Sequence, residues 1–111
     1  MADILQKTIY RKITPQTARQ MMCSLSCYTI VVDLRREAEF ATGHIKGAVN
    51  IPLSRLIDDA PFRLPDLSQE IILYCRTGSR SLDGAHTLAS MGYTNVYDLG
   101  GITDWCYGLE R

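Results

Sequence analysis

No apolar run in this 111-residue chain approaches the ~18 residues that a membrane span requires. The opening MADILQKTIYRK also lacks the charged region, apolar core and small-residue cleavage site of a secretory leader. These absences lead to the expectation of a cytoplasmic protein with no membrane partner. Charge of one sign is missing too: 12 basic residues face 12 acidic ones, so no nucleic-acid partner is expected. Cysteine is sparse, and Cys23, Cys27, Cys75 and Cys106 are too scattered for a disulfide scaffold. Two histidines and no CxxC pair argue against a structural zinc site. There is no internal repeat, linker or low-complexity stretch. What remains is an ordinary globular composition, 46% hydrophobic and 22% charged, at a length expected to form one domain over residues 1–111.

Read in order, residues 8–13 alternate weakly and suggest a short edge strand. ITPQTARQMM then opens a helix, with Thr14 as N-cap and Pro15 at the first helical position. Met21 and Met22 fall at helical spacing and read as core filling. Cys23 and Cys27 lie where that helix would end, as inert or surface thiols, with a resolving thiol for Cys75 as the alternative. YTIVVDL, residues 28–34, is a β-branched run expected to be a central strand with Asp33 near its carboxyl end. RREAEFATGHI reads as a short helix ended by Gly43, and the residues around Asn50 as a strand stopped by Pro52. Residues 54–58 suggest a short helix broken by Pro61 and Pro65. A helix over residues 81–91 is expected to turn Leu82, Ala85, Leu88 and Ala89 inward, with Gly92 as cap and His86 packed or at the surface. Residues 95–99 form a last strand, Gly100 and Gly101 a turn, and Trp105 would anchor a terminal helix beside a buried Cys106. Strands alternating with helices at this spacing predict an α/β fold, a three-layer α/β/α sandwich around a mostly parallel sheet.

The chemistry concentrates in residues 71–81, IILYCRTGSRS. A short apolar run ending in Cys75, followed by Gly, Ser and a helical pattern, reads as a buried parallel strand, a tight loop and a helix start. That places Cys75 at the carboxyl end of a strand, where open α/β sheets bind ligands. Amides at a helix N-terminus have no intrahelical partner and carry partial positive charge. Gly78 permits the backbone conformation in which they converge, and Arg76 and Arg80 add two full charges. Cys75 is therefore expected to be a thiolate nucleophile.

Four blocks, ITPQTARQMM, VVDLRREAEFATGHIKGAVNIPLSRL, IILYCRTGSRS and LASMGYTNVYDLGGITDW, together resemble single-domain rhodaneses, the thiosulfate sulfurtransferases. The resemblance covers nearly the whole chain, in the family's order and at about its spacing. It implies a rhodanese-like, five-stranded sheet of order 3-2-4-5-1. It also implies that Asp33, Arg35, Glu39, Gly43, His44, Gly47, Asn50 and Pro52 form a structural motif, in which Asp33, Glu39, His44 and Asn50 hold loops and hydrogen bonds. For Arg35 two roles are open, an ion pair with Glu39 or contact with a substrate anion at the pocket mouth.

The same resemblance implies a transferase in which Cys75 takes up sulfur from a thiosulfate-like anionic donor as a persulfide. Arg76 and Arg80 would hold the donor, with Thr77, Gly78 and Ser79 completing the loop. A thiol, cyanide or a protein thiol would accept the sulfur, with no metal and no organic cofactor. Two other readings stay open. One is a phosphatase or arsenate reductase, against which stands the loop length: four residues separate Cys75 from Arg80, one fewer than in the cell-cycle phosphatases of similar fold. The other is a non-catalytic interaction or regulatory module, against which stand the retained Cys, Gly and Arg residues of the loop.

Overall fold

The computed structural model describes residues 10–24 and 28–111, so Cys27 and the first residues of the expected 8–13 strand lie outside the description. The chain runs β1 (Arg11–Lys12), α1 (Pro15–Met22), β2 (Thr29–Asp33), α2 (Glu37–Thr42), β3 (His44–Ile45) and β4 (Val49–Asn50). It continues through α3 (Leu56–Arg63), β5 (Glu70–Cys75), α4 (Ser79–Ser90), β6 (Val96–Gly101) and β7 (Leu109–Glu110). Five strands pair in the order β1-β6-β5-β2-β4, every pairing parallel. Counted within that sheet alone, this is the expected order 3-2-4-5-1. An antiparallel β3–β7 pair lies apart from it and has no counterpart in the sequence reading.

The central strand β5 is buried on both faces, which is why its sequence is a continuous apolar run instead of an alternating one. Ile71, Leu73 and Cys75 face a core with Val32, Leu34, Leu56 and Ala60 of α3, and Ala85 and Leu88 of α4. Ile72 and Tyr74 face the other layer, with Ala18 of α1, Val31, Ile45 and Leu99, against which Met21, Met22, Phe40 and Trp105 pack. The α/β/α layering follows from these two apolar faces. Among the described residues no helix is long and apolar enough to cross a membrane.

The helix signals at both ends of the chain's periodic segments hold. Thr14 Oγ1 accepts from the Thr17 amide at 3.1 Å, with Pro15 in the first turn. Gly92, at φ 105°, closes α4: its amide donates to Ala89 O at 3.1 Å and the Tyr93 amide donates to Leu88 O at 3.1 Å. The interior Gly84 also has a reason. A Cβ there would run into the Leu34 side chain, so glycine lets α4 sit close on β2.

Several expectations are corrected. Residues 53–55 form a 3-10 turn, and the helix that follows includes Pro61 instead of stopping before it. Pro61 lies six residues into α3 and is exposed, so it costs the one bond to the Ile57 carbonyl, which solvent can replace. Leu82 is exposed, because the buried stripe of α4 runs through Ser81, Gly84, Ala85 and Leu88, one residue out of phase with it. His86 lies at the surface, one of the two positions expected for it. Gly100 and Gly101 continue β6 and pair with Tyr74 and Cys75, past a register shift that begins after Leu73. No terminal helix follows: Ile102–Asp104 is a 3-10 turn, half-buried Trp105 donates from Nε1 to Gly108 O at 3.1 Å, and Cys106 is exposed.

Asp98 on β6 is fully buried, and neither carboxylate oxygen has a hydrogen-bond partner among the described residues. Its nearest cation there is exposed Lys12 Nζ at 3.7 Å, on the paired strand β1. Removing one member of such a pair should cost more than replacing the buried charge by an apolar side chain. Lys12→Ala is therefore expected to lower stability by up to about 1 kcal/mol, the range of an ion pair with an exposed member, whereas Asp98→Leu should be neutral or stabilising. Urea unfolding midpoints of the two variants check this; a neutral Lys12→Ala with a destabilising Asp98→Leu would contradict it.

Candidate active site

The strand ends β2, β5 and β6 converge on one buried polar cluster and one buried thiol. Asp33, the last residue of β2, is fully buried and would be costly as a lone charge. It is satisfied by a two-residue return of the chain. The Arg35 amide donates to Oδ1 at 2.8 Å, Nε to the same oxygen at 3.0 Å and Nη2 to Oδ2 at 2.8 Å. Tyr74 OH donates to Oδ2 at 2.6 Å and itself accepts from the Ile45 amide at 3.1 Å. Burial, and then its bond to Asp33, raises the pKa of the Tyr74 phenol, which stays neutral. Burial opposes the charge on Arg35, but the hydrogen bonds and charge of Asp33 outweigh it and raise the guanidinium pKa further.

Arg35 is thus tied into the fold, with Nη2 also donating to Gly43 O at 2.7 Å and its side chain buried. It does not pair with Glu39, and its Nε and Nη2 are held by Asp33 and Gly43 instead of facing an anion at a pocket mouth. The sequence spacing of four suggested the Glu39 pair, but Arg35 precedes the helix and its side chain turns back to β2. Asn50 Nδ2 donates to the Asp33 and Arg35 carbonyls at 3.0 and 2.9 Å, which joins β4 to the same cluster. His44 stacks on Phe40 at 3.7 Å, shares a hydrogen bond with Phe40 O at 2.9 Å, and lies 3.5 Å from Glu110 of β7.

Cys75 ends β5, next to Tyr74. Two main-chain amides point at its sulfur: Gly78 N lies 3.0 Å and Ser81 N 3.2 Å from Sγ. The Gly78 contact requires the left-handed conformation that residue adopts, φ 106°. Ser81 is the third residue of α4, so its amide is one of the orphan donors of a helix start. The helix begins at Ser79, two residues before its expected start, which places Ser79 and Arg80 in the first turn. Ser81 Oγ donates to Gly78 O at 2.9 Å and braces the turn. Amides so placed stabilise negative charge on the sulfur.

The loop packs on a neighbouring strand that has no side chains to spare. A Cβ on Gly101 would stand 2.7 Å from Arg76 O and 3.0 Å from Thr77 Cα. Cys75 itself is 1% exposed, whereas Arg76, Thr77 and Ser79 are exposed above it and Gly78 and Arg80 are half-buried. Arg80 Nη1 lies 3.7 Å from Glu39 Oε1, and the same oxygen accepts the Arg36 amide at 3.1 Å to cap α2. That backbone hydrogen bond is the main cause of a lowered Glu39 pKa, with Arg80 contributing through its charge. Sequence reasoning brought together Cys75 and residues 76–80; it missed the Ser81 amide and Gly101. The signals were a helix start that includes Ser79, and a Gly-Gly pair that read as a turn.

Fold and site define an α/β/α domain whose central strand delivers a cysteine into a cradle of helix-start amides. The Rhodanese-like domain family matches residues 14–107. The thiosulfate sulfurtransferase GlpE of Haemophilus influenzae is 35% identical over 98 residues, covering 87% of this chain and 89% of that one. The thiosulfate sulfurtransferase PspE of Escherichia coli is 33% identical over 73 residues, covering 66% and 70%. Among solved structures, a rhodanese with anions from E. coli superposes at TM-score 0.71 with 29% identity, covering 75% of this chain and 98% of that one. The human single-domain sulfurtransferase TSTD1 superposes at TM-score 0.72 with 29% identity, covering 85% and 93%. The chain belongs to the rhodanese-like family.

The close approach at Gly101 can be tested. Gly101→Ala should push residues 76–77 off the strand and move the amides from the sulfur, because the clash is with backbone that cannot rotate away. A displacement on that scale costs about 100-fold in reactions that depend on positioning. The rate of sulfur uptake from thiosulfate, the reaction proposed for this site, is the readout, with circular dichroism confirming that the sheet persists.

Proposed function

We propose that this protein is a sulfurtransferase that carries a sulfane sulfur on Cys75. Its relatives are named for that class of activity. The observation that carries the reading is the convergence of the Gly78 and Ser81 amides on the Cys75 sulfur.

In the first half-reaction the Cys75 thiolate attacks the outer sulfur of thiosulfate or a similar anion. The donor's S–S bond breaks, its electron pair leaves with sulfite, and the transferred sulfur becomes the anionic end of a persulfide. The same amides that stabilise charge on the thiolate are available to the persulfide, and they need no reorganisation because the helix start fixes them. Arg76, exposed and with no carboxylate within salt-bridge distance among the described residues, would meet the donor's sulfonate, joined by Arg80, the second residue of α4. Thr77 and Ser79 line the exposed side of the loop, from which the donor enters. In the second half-reaction a thiol, cyanide or a protein thiol attacks the outer sulfur and Cys75 departs as thiolate. All bonds exchanged are sulfur to sulfur or sulfur to acceptor, so the cycle needs no outside oxidant or reductant.

The test is intact mass. Thiosulfate should add the mass of one sulfur atom, mapped to Cys75 and removed by reductant, and Cys75→Ser should abolish the gain while leaving the fold unchanged. Sulfur found on Cys23, Cys27 or Cys106 would move the site. Turnover of an aryl phosphate with no sulfur uptake would replace the reading by a phosphatase, and neither activity would leave an interaction module.

A further inference from the structure

Arg80, proposed to meet the donor, pairs in the structure with Glu39. Nη1 of Arg80 and Oε1 of Glu39 are 3.7 Å apart, with side chains 37% and 25% exposed. That is an ion pair too long for a hydrogen bond and open to solvent, a tie weak enough for a ligand to exchange. A sulfonate offers Arg80 charge-assisted hydrogen bonds instead, which are shorter and stronger.

We infer that Glu39 is a specificity residue of the sulfur-transfer site: its carboxylate competes with the donor for Arg80 and so selects against donors of high negative charge. The inference rests on the sulfurtransferase reading for its choice of ligand. Glu39 holds its place independently of Arg80, since the same oxygen accepts the Arg36 amide at 3.1 Å as the cap of α2. Arg80 is likewise fixed, two positions into α4 from the Gly78 cap. Two separately anchored elements therefore present opposite charges across the loop, and a dianion meets both the attraction of Arg80 and the repulsion of Glu39. A less charged donor, such as a thiosulfonate, meets less of that repulsion. The preferred donors would thus be sulfane sulfurs of low charge, with thiosulfate bound more weakly than two arginines alone would allow.

Glu39→Gln separates the charge from the cap, because glutamine at this helix position still accepts the Arg36 amide. Binding is measured by calorimetry in a Cys75→Ser background, where no sulfur moves, with thiosulfate as dianion and methanethiosulfonate as monoanion. Glu39→Gln should tighten thiosulfate by about 1.5- to 5-fold, the range an exposed ion pair allows, and methanethiosulfonate by less. The difference should vanish near 1 M salt, where charges are screened beyond ~3 Å, and in an Arg80→Ala background. A purely structural role for Glu39 would show neither dependence. Unchanged or looser thiosulfate binding, equal tightening of both anions that survives salt, or no thiosulfate binding by either protein would overturn the inference. Sulfur loading of the unmodified chain, followed by mass, reports separately on the function: loading without tightening removes only the role of Glu39, and tightening without loading removes only the sulfur transfer.

Discussion

A buried negative charge at the end of β2 organises this domain. The buried Asp33 carboxylate needs partners, and the chain supplies them from its own Arg35 and from the Tyr74 hydroxyl of the central strand, while Gly43 O accepts from Arg35 and Asn50 Nδ2 donates to the Asp33 main-chain carbonyl. Each partner fixes a segment. Arg35 sets how the chain leaves β2, Gly43 closes α2, Asn50 positions β4, and Tyr74 locks the residue next to the site cysteine. Removing Arg35 would leave the Asp33 carboxylate without its cation, typically a loss of about 3–5 kcal/mol for a buried pair.

The cradle inherits its geometry from this arrangement. Tyr74 is held on one face of β5, so Cys75 must point to the other, into the layer covered by α4. There the start of α4 presents its unpaired amides to the sulfur, and Gly101, the last residue of β6, leaves room for the loop to lie flat against the strand. The donors belong to the main chain, whose positions a helix start and a left-handed glycine determine without relying on flexible side chains. The basic side chains stand outside, where they can meet an anion and where Glu39 balances one of them.

Much of this is legible in the amino-acid sequence. The run IILYC announced a doubly buried strand, YTIVVDL a second one, Thr14-Pro15 a helix start and Gly92 a helix stop, and each signal reports a local requirement of the backbone. Less was readable where a residue's partner is distant in sequence. Arg35 read as the neighbour of Glu39 because they are four apart, yet Asp33, buried beside Tyr74, attracts it more strongly. Gly100 and Gly101 read as a turn because glycine pairs commonly are, while Gly101 admits residues 76–77 from another segment and Gly100 takes a left-handed conformation at φ 94° within the strand. Pro61 read as a helix stop, and solvent exposure let the helix continue through it.

The amino-acid sequence by itself determined most of the segments that become strands and helices, that the sheet is parallel, and which cysteine ends the central strand, since these follow from hydrophobic period, β-α alternation and backbone stereochemistry. Tertiary structure alone decided that the Ser81 amide and Gly78 meet one sulfur, that Arg35 serves Asp33, and that Glu39 faces Arg80. Those are outcomes of packing between elements far apart along the chain, where the cost of burying an unpaired charge or a clashing Cβ outweighs any local preference.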